Sequence, residues 1–169
     1  MSYCILCWGH SPSMKIIFGY QRKALRAILR LHYRADVRKS FKDLNILTLP
    51  GQYIYECLVH VHVHRDKFPS ASHAYGTRGV NSVAIKPCRL DVARNCSNWW
   101  GPKFYNTLPE NIRALDKNLF KKKCKKMLTE MAPYVFDDFL NEIAKIRTWY
   151  DFKVPTRGFL FVIFISFCN

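Results

Sequence analysis

The sequence predicts a mainly α-helical domain with a short irregular, β-containing insert around residues 75–105. Three observations lead there. Apolar residues recur at helical spacing in stretches beginning near residues 14, 50 and 117. Pro, Gly, Ser and Asn break the pattern between residues 68 and 98. Finally, the 169 residues are 49% hydrophobic and 15% aromatic, enough for a buried core.

Residues 14–31 read as an amphipathic helix. Ile16, Ile17, Tyr20, Ala24, Ala27, Ile28 and Leu31 form its apolar side, and Arg22, Arg26 and Arg30, four apart, line another. Residues 38–44 predict a short helix stopped by Asn45. Pro50 suits the first turn of the next helix, where its missing N–H costs nothing. Along that helix, to about His64, Tyr53, Ile54, Cys57, Leu58 and Val61 make one buried stripe. Val80, Val83 and Ile85 indicate only short strands or extended chain. Trp99, Trp100, Phe104 and Tyr105 cluster around Gly101 and Pro102. Pro109 opens a short helix through Leu115. Asp116 then caps a helix on which Leu119, Phe120, Cys124, Met127, Leu128 and Met131 share a face, with lysines over the rest. A last helix runs from 136 to 149, with Asp137 and Asp138 in its N-terminal turn.

Charge narrows the function classes. Lys and Arg number 27 against 12 Asp and Glu, a net charge of +15. Such a chain repels itself unless an anionic partner neutralises it, and the clustering of the charge points to nucleic acid. The densest run, residues 117–126, lies close to the aromatic cluster, and aromatic faces can stack bases while lysines follow phosphates. No span reaches the ~20 apolar residues of a membrane helix. Seven cysteines, an odd number, with no cleavable signal at the start, read as reduced thiols of a nuclear or cytoplasmic protein.

Three tempting constellations fall short. Tyr134-Val135-Phe136-Asp137-Asp138 imitates the paired aspartates with which polymerases bind Mg²⁺, but Phe136 abuts Asp137 and Tyr134 stands one residue too far away. It reads as a helix N-terminus. Cys4-x-x-Cys7 with His10 lacks a second close pair for zinc. His60 and His64 share a helical face, but Val61 occupies the place of a metalloprotease glutamate. No catalytic or metal-binding residue is assigned.

Five motifs, taken in order, resemble the C-terminal part of the reverse transcriptase of an insect-type, jockey-like non-LTR (LINE-like) retrotransposon. They are Cys4-Ile5-Leu6-Cys7-Trp8-Gly9; Gln21-Arg22-Lys23-Ala24-Leu25-Arg26; Arg38-Lys39-Ser40-Phe41-Lys42-Asp43-Leu44-Asn45-Ile46-Leu47-Thr48-Leu49-Pro50 running on to Tyr53-Ile54-Tyr55-Glu56; His73-Ala74-Tyr75-Gly76-Thr77-Arg78; and Gly101-Pro102-Lys103-Phe104-Tyr105-Asn106-Thr107-Leu108-Pro109. Tyr134 with Asp138-Phe139 matches a further element of that family, so the resemblance covers roughly residues 4–141 and implies a domain of residues 1–141. It departs from the pattern at Cys4, where the family has Gly. The resemblance implies the thumb-side region that holds template RNA and the primer–template duplex. The Mg²⁺-dependent polymerase chemistry would lie upstream, so this chain should need no cofactor and should not polymerise alone. Its partners would be RNA and DNA, with no small-molecule substrate. The residues expected to meet nucleic acid are Arg22, Arg26, Arg30, Arg78, Lys103, Lys117, Lys121, Lys122, Lys125 and Lys126. A host-retained basic nucleic-acid-binding module and a non-functional product of a decayed element are the alternatives. Residues 142–169, with the apolar run 159–167, read as out-of-family sequence.

Overall fold

The computed structural model describes residues 3–69, 82–90 and 94–153, with side chains through 146. Eight α-helices follow one another in these residues: α1 (Ile5–Trp8), α2 (Ser13–Ile28), α3 (Arg38–Asp43), α4 (Leu49–Val63), α5 (Ser97–Thr107), α6 (Glu110–Arg113), α7 (Lys117–Met131) and α8 (Phe136–Lys153). The fold is mainly α, as the sequence predicts. The run 159–167 lies outside the described residues.

Helix α4 is the centre. Thr48 caps its start by accepting from the Gly51 N–H at 3.1 Å. Its stripe of Tyr53, Ile54, Cys57, Leu58 and Val61 is buried. Leu49, Pro50 and Gly51 are buried as well, so α4 is enclosed on more sides than one stripe requires. Helices α1, α2, α5 and α7 all pack on it. Burying a Leu, Ile or Phe side chain contributes about 1.5–3 kcal/mol, so this one helix anchors much of the core.

Helix α5 was not predicted. Gly101 and Pro102 read as helix breakers, yet both lie inside it and both are buried. Tertiary contact outweighs propensity here. A Cβ at Gly101 would stand 2.9 Å from Val61 Cγ2, so glycine is what lets α5 approach α4 so closely. The irregular insert expected around residues 75–105 is therefore helical over residues 97–105. Within it, Val83 is extended and buried, and its N–H and C=O are both taken by the Asn106 side-chain amide of α5 at 2.8 Å.

The orientation of α2 also differs from expectation. Met14, Phe18 and Leu25 point into the core, whereas Ile16, Tyr20 and Ile28 are 61%, 59% and 73% exposed. Both sides of α2 carry apolar residues, and the Gln21 amide helps fix which one faces in. Its Nε2 donates to the Leu47 carbonyl at 3.1 Å and its Oε1 accepts from the Leu49 N–H at 2.9 Å, clamping α2 to the entry of α4.

Helices α7 and α8 close the core. Asp116 caps α7 through the Asn118 N–H at 3.1 Å. Phe120, Cys124 and Leu128 are buried, while Leu119, expected with them, is 56% exposed. Chain reversal after α7 uses Ala132 at φ 45°. The Thr48 hydroxyl then donates to the Pro133 carbonyl at 2.6 Å, tying this turn to the cap of α4. Asp138 accepts from the Tyr134 and Val135 N–H groups at 2.9 and 3.4 Å, the helix N-terminus expected of this segment. Helix α8 runs unbroken past residue 142, with Phe139 and Ile143 both buried.

Candidate nucleic-acid interface

Helix α7 gathers the densest charge. Its buried stripe leaves Lys117, Lys122, Lys125 and Lys126 exposed and Lys121 half-buried. None of these lysines pairs with a described carboxylate. Like charges three or four apart on a helix cost about 0.2–0.5 kcal/mol per pair. The helix tolerates that cost because Phe120, Cys124 and Leu128 hold it from the other side.

The lysines do not point one way. Lys122, Lys125 and Lys126 converge on a cleft of about 510 Å³ between α7 and the end of α3. Lys117 and Lys121 lie outside its lining. Across the cleft stands Lys42 of α3, which the sequence reading did not select. Its only cue in the sequence was a place on the polar face of α3, far from the lysine run.

The arginines of α2 behave differently. Arg22 sits over the Phe18 ring at 4.9 Å and the Tyr134 ring at 5.8 Å, and its Nε is buried without a hydrogen-bond partner. The Arg26 Nε–H donates to the Ala35 carbonyl at 2.9 Å, fastening the chain that leaves α2. Arg30 falls beyond the helix, at φ 52°. The expected row of three arginines on one helical face therefore does not form. Arg78 lies outside the described residues. The Lys103 Nζ rests over the Trp100 and Trp99 rings at 4.3 and 5.0 Å, in cation–π contact within the protein.

The aromatic cluster is largely core. Phe104 and Tyr105 are buried, and Trp100 stacks on His10 at 5.1 Å. The other face of this arrangement is Phe136, stacked on His10 at 5.3 Å. Burial lowers the pKa of His10, partly offset by a hydrogen bond with Asn95. His60 and His64 pack edge to face at 4.9 Å, and His60 is lowered by burial, then by the neighbouring His64 and Lys67 charges. His62 lies flat on Phe120 at 3.9 Å with 3° between the rings. The Cys57 and Cys124 thiols are pushed up to about 12 by burial, which makes them poor nucleophiles and poor metal ligands. No group of three or more metal-ligating side chains occurs among the described residues. No described helix is long and apolar enough to cross a membrane.

No family model, curated protein or solved structure matches this chain.

Proposed function

We propose that this chain is the thumb-side C-terminal region of a non-LTR retrotransposon reverse transcriptase, holding template RNA and primer–template duplex by their phosphates. The order of the sequence motifs supports the family. The binding role rests on one observation: the lysines of α7 are unpaired by any described carboxylate and three of them converge on one cleft. A helix that keeps such repulsion is suited to an anionic polymer, whose condensed counterions it displaces on binding.

Fluorescence anisotropy with labelled single-stranded RNA and an RNA–DNA duplex tests the binding role. Affinity should fall by about 10³ or more between about 50 and about 200 mM salt, with little dependence on sequence. A flat salt titration would refute it. The purified chain should show no Mg²⁺-dependent primer extension. Extension that Asp137→Ala abolishes would overturn the assignment of Asp137 and Asp138 to a helix start.

A further inference from the structure

We infer that the cleft between α3 and α7 is the track for a phosphodiester backbone, with Lys42 as a phosphate contact equal in weight to Lys122, Lys125 and Lys126. This rests on the nucleic-acid reading above and names its site.

Lys42 is about 80 residues from the lysine run, so no local sequence pattern joins them; only the packing of α3 on α7 does. Helix α3 is also anchored in the core and against α2. Phe41, the neighbour of Lys42, is fully buried, and its ring lies 6.3 Å from that of Phe18. The short helix thus holds Lys42 at a fixed place above the cleft, although the side chain itself is exposed.

Charge balance separates this cleft from its neighbour. Among the described residues, four lysines face a single carboxylate, Glu130. The adjoining cleft, which also touches Lys42 and Glu130, has its charges matched: Arg38 pairs with Asp138 at 3.3 Å and Lys145 with Glu142 at 2.8 Å. Phosphate oxygens should follow the unmatched charge and turn away from the matched one. Neutral hydrogen-bonding groups complete the lining. Asn45 stands at the end of α3 in the left-handed conformation, φ 53°, and Thr129 contributes a hydroxyl bonded to the Lys125 carbonyl at 2.9 Å. Among the described residues no aromatic side chain lines the cleft, so these residues offer contacts to phosphate and sugar and no surface for stacking bases.

The test compares single charge removals at matched exposure. Lys42→Gln is measured against Lys39→Gln, on the same short helix but outside the cleft, and Lys23→Gln on α2. Each variant is titrated with salt using a short RNA single strand and an RNA–DNA duplex of the same sequence, after a thermal melt shows it folded. Lys42→Gln should lower the slope of log affinity against log salt by about 0.9 on duplex and about 0.7 on single strands. Between about 50 and about 200 mM salt, that narrows the loss of affinity roughly threefold. The two control variants should keep the parent slope. Equal effects from all three would mean a diffuse field and would overturn the inference, as would a parent slope in Lys42→Gln while binding persists. Absence of salt-dependent binding in the parent chain would instead sink the nucleic-acid reading itself. If the slope falls on one substrate only, the track is assigned to that substrate.

Discussion

Replacing Phe120 by Ala separates what α7 does for the fold from what it does for binding. The ring is fully buried, lies flat on His62 at 3.9 Å and is 6.1 Å from the Tyr105 ring. Truncation to Ala loses a transfer term of about 2 kcal/mol and leaves a cavity of up to roughly 100 Å³, which at about 24 cal/mol per Å³ adds about 2 kcal/mol. The total lies within the range of about 3–5 kcal/mol usual for such a change. At about 2–4 °C per kcal/mol for a chain of this size, the melting temperature should drop by about 8–16 °C. Circular dichroism melts and urea titrations would measure it. The partner variant converts Lys121, Lys122, Lys125 and Lys126 to Gln. It should melt at or slightly above the parent temperature, because repulsion along α7 is relieved, and it should bind nucleic acid with a shallower salt slope. Below its melting temperature, Phe120→Ala should keep the parent slope, since its lysines are untouched. If the Gln variant unfolds while Phe120→Ala melts normally, the faces of α7 are assigned the wrong way round.

Other outcomes follow from single contacts. Thr48→Ala removes both the cap of α4 and the donor to the buried Pro133 carbonyl, so it should cost about 2–4 kcal/mol in a denaturant titration. Thr48→Ser, which keeps the hydroxyl, should recover most of the loss; equal loss in both variants would discredit the hydrogen bonds as the cause. Gly9→Ala should destabilise by about 1–3 kcal/mol, because its Cβ would press into the Tyr53 ring and come within 2.6 Å of the Ile5 carbonyl oxygen; an unchanged melting temperature would show that α1 moves aside. Burial lowers His10, His60 and His62 below the ordinary value of 6.5, so the unfolded chain binds more protons than the folded one just below that pH. Stability should be fully present above pH 6.5 and decline as pH falls toward the folded-state values. A flat profile from pH 7 to 5 would contradict the burial of these rings.

Helices α4 and α7 were legible in the sequence because each carries one apolar stripe and a recognisable start, Pro50 in one and Asp116 in the other; the Thr48 cap was not read there. Helix α2 was legible as a helix but not as to its inward side. Its apolar residues fall on both faces, and long-range contacts, those of Gln21 and of Phe18 with Phe41 and Tyr134, decide between them. Helix α5 was hidden because Gly101 and Pro102 signal a break locally, and the approach to Val61 that rewards them comes from α4. The lysines of α7 were visible as a run. Their division into cleft and non-cleft members, and the addition of Lys42, depend on where α3 lands. Arg22 and Arg26 were selected for charge, yet the structure directs them at a pair of aromatic rings and a carbonyl.

The central position of α4 has a consequence for synthesis of the chain. Two of its main covers, α5 and α7, come later in the sequence. The roughly 70 residues between Val63 and Met131 take about 3–14 s to make at ribosomal rates of about 5–20 residues per second. For those seconds the central, largely apolar helix α4 has only the N-terminal segments to shield it. A nascent chain halted before α7 should therefore be captured by chaperones that bind exposed apolar helices, and one extended through α8 should be released.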